Sequence, residues 1–270
     1  MKLSDAIRLL RESGVTDPVY DARELFAHFG GVSRAALFGA DPDIDSEELS
    51  RAVKRRRERE PLQYIIGEVG FFKEVYEVSP DCLIPRADTE SLVEYAIKNI
   101  PSGERFLDLC AGSGCVGIST LKHTDSTEAT LADISLGALG LAERNARRNG
   151  VSDRCSFLLR DVLLDAIEGE YYAVLSNPPY VTEEEYSSLE REIYFEPRIA
   201  FVGKDGGLEF YKRLTELYRG RIKDGGFIAY EIGYKQGEAL RKIAKSFSMS
   251  AEIIKDLSGN ERVAVLRKIK

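Results

Sequence analysis

Arg105-Phe-Leu-Asp-Leu-Cys-Ala-Gly-Ser-Gly114 begins as a short buried strand, Arg105 to Cys110, and runs directly into the loop Ala111-Gly112-Ser113-Gly114. The apolar segment Cys115 to Leu121 then follows with helical character. Strand, glycine loop and helix in that order make a turn of the kind that holds nucleotide cofactors. Glycines let the backbone approach a ligand closely, and the first N–H groups of a helix stay free to bind it. A tight strand-to-helix turn that holds nothing is the plain alternative, and a Gly-x-Gly loop alone does not exclude it. Ala129-Thr-Leu-Ala-Asp133 reads as a second strand ending in a carboxylate about 20 residues after the glycines, where an acid grips ribose hydroxyls. The chain also satisfies the dinucleotide pattern Gly112-x-Gly114-x-x-Gly117, so the loop by itself leaves an NAD cofactor open.

The discriminating stretch is Asn177-Pro178-Pro179-Tyr180, which closes the apolar run Tyr172-Ala-Val-Leu-Ser176 and forbids a regular continuation. Two prolines fix φ, remove two backbone donors and leave their carbonyls free, so the segment becomes a rigid corner that presents acceptors. Such a corner suits a planar NH2 group. An amide or exocyclic amine can donate to the Asn177 side-chain oxygen and the Pro178 carbonyl while its flat face lies against the Tyr180 ring. A Pro-rich turn after a strand is the bland alternative. Strand patterns at 105–110, 128–133, 155–159, 172–176, 226–232, 250–256 and 262–267 alternate with helical patterns through most of that interval. The corner then ends the fourth strand, beside the cofactor cleft at the switch point of the sheet.

This arrangement resembles the class I S-adenosylmethionine-dependent methyltransferase fold, whose first motif has the form of Asp108-Leu-Cys-Ala-Gly-Ser-Gly114. The resemblance implies an α/β, Rossmann-like, seven-stranded sheet with a small N-terminal helical domain. In that fold the tetrapeptide marks enzymes that methylate an NH2 on an sp2 centre, either adenine N6 or cytosine N4 in nucleic acid, or glutamine N5 in protein. Further segments distinguish these. Leu83-Ile-Pro-Arg-Ala-Asp-Thr-Glu90, Asp133-Ile-Ser135, Asn145-Ala146, Glu196-Pro-Arg198, Asp205-Gly-Gly-Leu208, Glu231-Ile-Gly233 with Gln236, and Lys255-Asp256 before Gly259 and Arg262 occur in order along the chain. Together they resemble the release factor glutamine methyltransferase family over essentially the whole sequence. The departures are small: Cys110 stands where glycine is common, and Ala87 where proline is common before Asp-Thr-Glu.

What the resemblance implies is specific. The cofactor is S-adenosylmethionine, leaving S-adenosylhomocysteine, and the partner is a class 1 peptide chain release factor whose Gly-Gly-Gln glutamine is methylated. Cys110, Ala111, Gly112, Ser113 and Gly114 are expected at the methionine end, Asp133 at the ribose, and Asp161 with Val162 at the adenine edge. For Asp161 an ordinary loop acid is the competing reading. Asn177, Pro178, Pro179 and Tyr180 are expected to hold the substrate, with Asn177, Pro178 and Tyr180 catalytic and Asn177 also touching cofactor. A nucleic-acid amino methyltransferase is the enzymatic alternative, and a cofactor-binding translation partner without turnover is a third reading.

At 270 residues and 43% apolar, the chain has length for one core and a small second domain. A net charge of −7 and a pI near 5.2 argue against affinity built on coating phosphates, so direct nucleic-acid binding is not expected. Lys54-Arg-Arg-Arg57, with Arg51 and Arg59, reads as a solvated helix face balanced by Glu58 and Glu60 rather than an RNA patch. Cys82, Cys110, Cys115 and Cys155 have no metal or redox spacing, and His28 and His123 are the only histidines, so no metal is expected. Met1-Lys-Leu-Ser-Asp5 lacks a signal-peptide profile and no run approaches a membrane span, so a cytoplasmic location is expected.

Leu3, Ala6, Ile7 and Leu10 recur at helical spacing, as do Ala22, Leu25, Phe26 and Phe29, then Leu49, Ala52 and Val53. They predict a helical domain over 1–68. A period-two stretch from Gly67-Glu-Val-Gly70 onward predicts a β-hairpin linker over 69–80, leaving 81–270 as the methyltransferase domain. The family implies that the helical domain recognises the protein substrate; a cap that merely covers the sheet is the alternative. Asp88, Thr89 and Ser91 are candidate caps for a helix from Leu92 to Ile97. Arg86 is read as an exposed guanidinium beside the cleft, able to order a cofactor or substrate loop.

Overall fold

The computed structural model describes residues 1–269, which divide into two compact units: residues 1–68 with 190–195, and residues 69–189 with 196–269. The first unit contains α1 (Leu3–Glu12), α2 (Pro18–Phe29), α3 (Glu47–Arg57) and α4 (Leu62–Ile66). α2 and α3 start where the sequence offers an acceptor to an unpaired helix N–H: Asp17 takes Tyr20 N, just ahead of Pro18, and Ser46 takes Leu49 N. Leu3, Ala6, Leu10, Ala22, Leu25, Phe26, Leu49, Ala52 and Val53 meet in one buried cluster. Each Leu or Phe so buried contributes about 1.5–3 kcal/mol, which is what holds four short helices together.

The basic run departs from its expected role. Arg55 does stay outside against Glu60 at 2.7 Å, but Arg56 is buried. Its Nε donates to Asp21 at 2.6 Å and its Nη2 to Glu192 at 2.9 Å, while Arg59 donates to both oxygens of Glu192 at 2.7 and 2.6 Å. The reason is periodicity. Arg56 continues the stripe Leu49, Ala52, Val53 one step further along the same face, so α3 turns it inward, where only paired charge is tolerated.

A hairpin of β1 (Glu68–Phe71), whose first residue is the last of the helical stretch, and β2 (Glu74–Glu77) leads into the second unit, followed by α5 (Glu90–Asn99). β3 (Arg105–Leu109), α6 (Cys115–Lys122), β4 (Glu128–Asp133), α7 (Leu136–Arg148), β5 (Cys155–Leu159) and β6 (Tyr171–Ser176) follow in alternation. After the short α8 (Glu183–Tyr186) and α9 (Lys204–Gly207) come α10 (Glu209–Tyr218), β7 (Ile222–Glu231), α11 (Gly237–Ser246), β8 (Met249–Lys255) and β9 (Glu261–Lys268). Seven strands form one sheet in the order β5-β4-β3-β6-β7-β9-β8, parallel except for β9, which runs antiparallel to both neighbours. This is the α/β, seven-stranded architecture with an N-terminal helical region that the sequence implies.

Phe106, Ala173, Leu175, Phe227 and Ala229 face one apolar cluster; Leu107, Leu109, Val174, Ile228 and Tyr230 face the other. The central strands are buried on both sides, which is why they read as unbroken apolar runs. Asp108 interrupts that pattern, and Gly117 explains how it is accommodated. The Gly117 N–H, one of the unpaired first-turn donors of α6, bonds Asp108 Oδ2 at 2.8 Å. A Cβ on Gly117 would stand 2.9 Å from that oxygen and 3.1 Å from Leu131 Cδ1. The third glycine of the formal dinucleotide pattern therefore serves helix-on-strand packing. Gly117→Ala is expected to lower stability by about 1–3 kcal/mol, read as a lower urea midpoint at unchanged slope. An unshifted midpoint would mean that α6 gives way freely.

Candidate active site

Leu109 pairs with Ala132 of β4 on one side and with Ser176 of β6 on the other. Cys110, Asp133 and Asn177 therefore emerge side by side at the carboxyl edge of the sheet, where chain order reverses from β4 to β6. Two bonds lace the edge: Ser176 Oγ donates to Leu109 O at 2.6 Å, and Ala111 N to Ala132 O at 3.1 Å. Cys110 has φ +59°, in the left-handed region, which accounts for the preference for glycine here and costs an L-residue about 1–2 kcal/mol. Burial pushes the Cys110 thiol pKa far up, so this sulfur is a neutral S–H.

A cavity of about 320 Å³ opens at this edge. Cys110, Ala111, Gly112, Ser113, Asp133, Asp161, Val162, Asn177 and Pro179 all line it. Gly114, Pro178 and Tyr180 do not. Gly114 turns its N–H back to Ala111 O at 2.8 Å, and the Pro178 ring is buried. Tyr180 anchors the corner from behind: its hydroxyl donates to Glu231 Oε1 at 3.0 Å, and its carbonyl accepts from Gln236 Nε2 at 3.3 Å. Gly207, at φ +79°, closes on that carbonyl so tightly that a Cβ would stand 2.1 Å from it.

The two cavity acids are held differently. Asp133 accepts from Gly112 N through Oδ2 at 2.8 Å and from Ser135 N through Oδ1 at 2.9 Å, which fixes the carboxylate and leaves each oxygen a further lone pair. Asp161 accepts from Leu163 N at 2.9 Å, so it shapes its own loop as well as lining the cavity.

The expected caps of α5 are not formed. The helix begins at Glu90 behind a 3-10 turn, and Thr89 makes no capping bond. Thr89 is instead buried and accepts from Asn177 Nδ2 at 3.2 Å, while Asp88 pairs with Arg262 at 2.9 Å. Arg86 does line the cavity and forms an ion pair with Glu196, whose other oxygen takes Ile84 N at 2.9 Å. Burial raises the Glu196 pKa and Arg86 opposes it. The sequence marks Thr89, which lines the cavity, and Glu231, which anchors Tyr180 behind it, only by their presence in the Asp-Thr-Glu and Glu-Ile-Gly segments.

Residues 87–200 match the methyltransferase small domain, and residues 2–67 match the PrmC N-terminal domain. The chain is 34% identical over 261 residues to the release factor glutamine methyltransferase of Thermodesulfovibrio yellowstonii, covering 93% of each protein. It is 33% identical over 274 residues to that of Fusobacterium nucleatum subsp. nucleatum, covering 97% of this chain and 77% of that one. This chain belongs to the release factor glutamine methyltransferase family. Among solved structures, a methyltransferase from Pyrococcus furiosus aligns at TM-score 0.53 and 18% identity, over 71% of this chain and 86% of that one. The ribosomal protein L11 methylase of Lactobacillus delbrueckii subsp. bulgaricus aligns at TM-score 0.52 and 16% identity, over 68% and 81%. At those identities the likeness is one of fold alone.

In this member of the release factor glutamine methyltransferase family, Asp108 both lines the cavity and is 1% exposed. Burial pushes its pKa up to about 8 even though the Gly117 N–H pulls the other way. An unfolded aspartate titrates at about 3.9, so between there and about 8 the folded state holds a proton that the unfolded chain has lost. Its contribution to stability is complete at low pH, falls as pH rises through that window and levels off above it. Comparing wild type with Asp108→Asn by urea unfolding at several pH values isolates this group. The difference in stability is expected to move against wild type by a few kcal/mol between about pH 4.5 and 8. A pH-independent difference would rule the shift out.

Proposed function

We propose that this chain transfers a methyl group from S-adenosylmethionine to the side-chain amide nitrogen of the glutamine in the Gly-Gly-Gln loop of class 1 peptide chain release factors. The single observation that carries the reading is a shared cavity: the loop 110–113, Asp133 and Asn177 all line it. The relatives named release factor glutamine methyltransferase support the substrate. The residues suit the cofactor. Asp133 is oriented by two backbone N–H groups and keeps lone pairs for ribose hydroxyls, Val162 offers an apolar wall for a base, and the loop 110–113 offers close backbone approach for the amino-acid end.

When bound, the cofactor supplies an electrophilic methyl on a sulfonium. The amide nitrogen is a feeble nucleophile because its lone pair is delocalised into the carbonyl, so positioning and exclusion of water carry the reaction. Asn177, which lines the cavity, is the residue placed to accept from the substrate NH2 through Oδ1, while Pro178, the other expected acceptor, lies outside the lining. That bond aims the nitrogen lone pair and favours the positive charge that develops on nitrogen. No strong base is required, since the methylated nitrogen sheds a proton to solvent or a carbonyl. Tyr180 holds the corner rigid through Glu231. The helical unit is the candidate for gripping the release factor, and a substrate used in translation puts the site of action in the cytoplasm. Among the described residues no helix is long and apolar enough to cross a membrane.

Incubation with methyl-labelled cofactor and a release factor is expected to leave label on glutamine. Asn177→Ala should lower kcat/KM by at least about 100-fold while cofactor affinity stays within about fivefold. Label appearing on adenine or cytosine of added nucleic acid, with the release factor unmodified, would replace this reading with the nucleic-acid one.

A further inference from the structure

Pro178 and Pro179 have no N–H, so neither can tie the corner after β6 to its surroundings by donating; it has to be held through its carbonyls and by packing. The segment 201–207 does this. Val181 N donates to Phe201 O at 2.8 Å and Gly203 N to Val181 O at 3.0 Å, which pairs the chain leaving the corner with Val202 in a short parallel bridge. Two glycines then bring the backbone of the segment against the corner. A Cβ at Gly203 would stand 2.4 Å from Pro179 O, and one at Gly207 2.1 Å from Tyr180 O, distances at which the backbone itself would have to move. Tyr180 O also accepts from Gln236 Nε2, so its place is fixed from a second direction. Asp205, Gly206 and Gly207 have φ of +56°, +63° and +79°, a left-handed turn that returns the chain until Gly207 Cα lies 3.3 Å from where a Gly203 Cβ would be. The segment reaches the cavity too, since Val202 and Lys204 line it together with Pro179.

We propose that Gly203 and Gly207 are positioning residues. Having no side chains, they let the backbone of 201–207 seat directly on Pro179 and Tyr180, and this contact sets where Asn177 presents its amide in the cavity. The role rests on the function proposed above. It is transmitted by stiffness: with φ fixed at Pro178 and Pro179, a displacement at Tyr180 is passed on to Asn177 rather than absorbed. A misplacement of about 1 Å in a reacting geometry costs about 100-fold in rate. The loop 110–113 and Asp133 hang on β3 and β4 instead, so moving the corner slows methyl transfer and spares cofactor binding.

Three substitutions separate contact from strain. Gly203→Ala adds the contact alone, because Gly203 has φ −103° and ψ 143°, open to any residue. Gly206→Ala adds left-handed strain alone, because nothing lies within 4 Å of its Cβ position. Gly207→Ala adds both. For each variant and wild type, methyl transfer to a release factor, the dissociation constant of S-adenosylhomocysteine and the urea midpoint are measured. Gly203→Ala and Gly207→Ala are expected to lower kcat about 100-fold, with KM for the release factor within about fivefold and cofactor-product affinity within about twofold. Gly206→Ala is expected to lower the urea midpoint while kcat stays within about twofold. Should Gly207→Ala fail to fold, Gly203→Ala against Gly206→Ala decides the matter. A wild-type kcat in Gly203→Ala, or a kcat in Gly206→Ala as low as in Gly203→Ala, overturns the inference and leaves the proposed function standing. A wild-type enzyme that leaves glutamine unmethylated overturns the proposed function and this role with it, so the two failures are told apart.

Discussion

The pairing of Leu109 with Ala132 on one side and Ser176 on the other is the constraint on which the rest of the site depends. Cys110, Asp133 and Asn177 are each the first residue beyond, or the last residue of, a strand in that register. In a sheet the side chains alternate faces, so a slip of one residue would turn Asp133 or Asn177 away from the cavity. Two-sided burial prevents the slip. Phe106 and Leu107, Ala173 and Val174, Phe227 and Ile228 are committed to opposite cores, so displacement would place every pair on the wrong side.

Around that edge the molecule keeps several ionisable groups out of water, and each is tied to a specific donor. Asp108 has the Gly117 N–H, Glu196 has Ile84 N and Arg86, and Glu231 has Tyr180. Burying ionisable groups of this kind contributes little net stability, because desolvation offsets most of what their bonds gain. Its effect is geometric. Glu196 fixes the segment 84–86 and Glu231 fixes the corner at 180, so the walls of the cavity are held by bonds that tolerate few alternative arrangements.

The parts of this protein that were legible in the sequence are those determined locally. Glycines and prolines restrict the backbone wherever they occur, so the loop after β3 and the corner after β6 could be read without knowing their surroundings. The strands were legible because burial on both faces leaves an uninterrupted apolar record. What escaped depends on partners distant in the chain. Thr89 reads as a cap because caps are local, yet its hydroxyl meets Asn177 instead. Tyr180 reads as a cavity wall because of its neighbours in sequence, yet Glu231 draws it to the back of the corner. Arg56 reads as solvated because it lies among charges, although its spacing from Leu49, Ala52 and Val53 marked it as inward-facing.

The return of residues 190–195 to the helical unit bears on how the chain is made. Glu192 completes the bonding of Arg56 and Arg59, but it is synthesised long after α1 to α4. At translation rates of about 5–20 residues per second, the helices emerge roughly 6–25 s before it. During that interval Asp21 alone neutralises the inward guanidinium, and Arg59 has no carboxylate from this segment. The helical unit is therefore finished only once most of the parallel sheet has left the ribosome, which ties the maturation of one end of the polypeptide to the elongation of its middle.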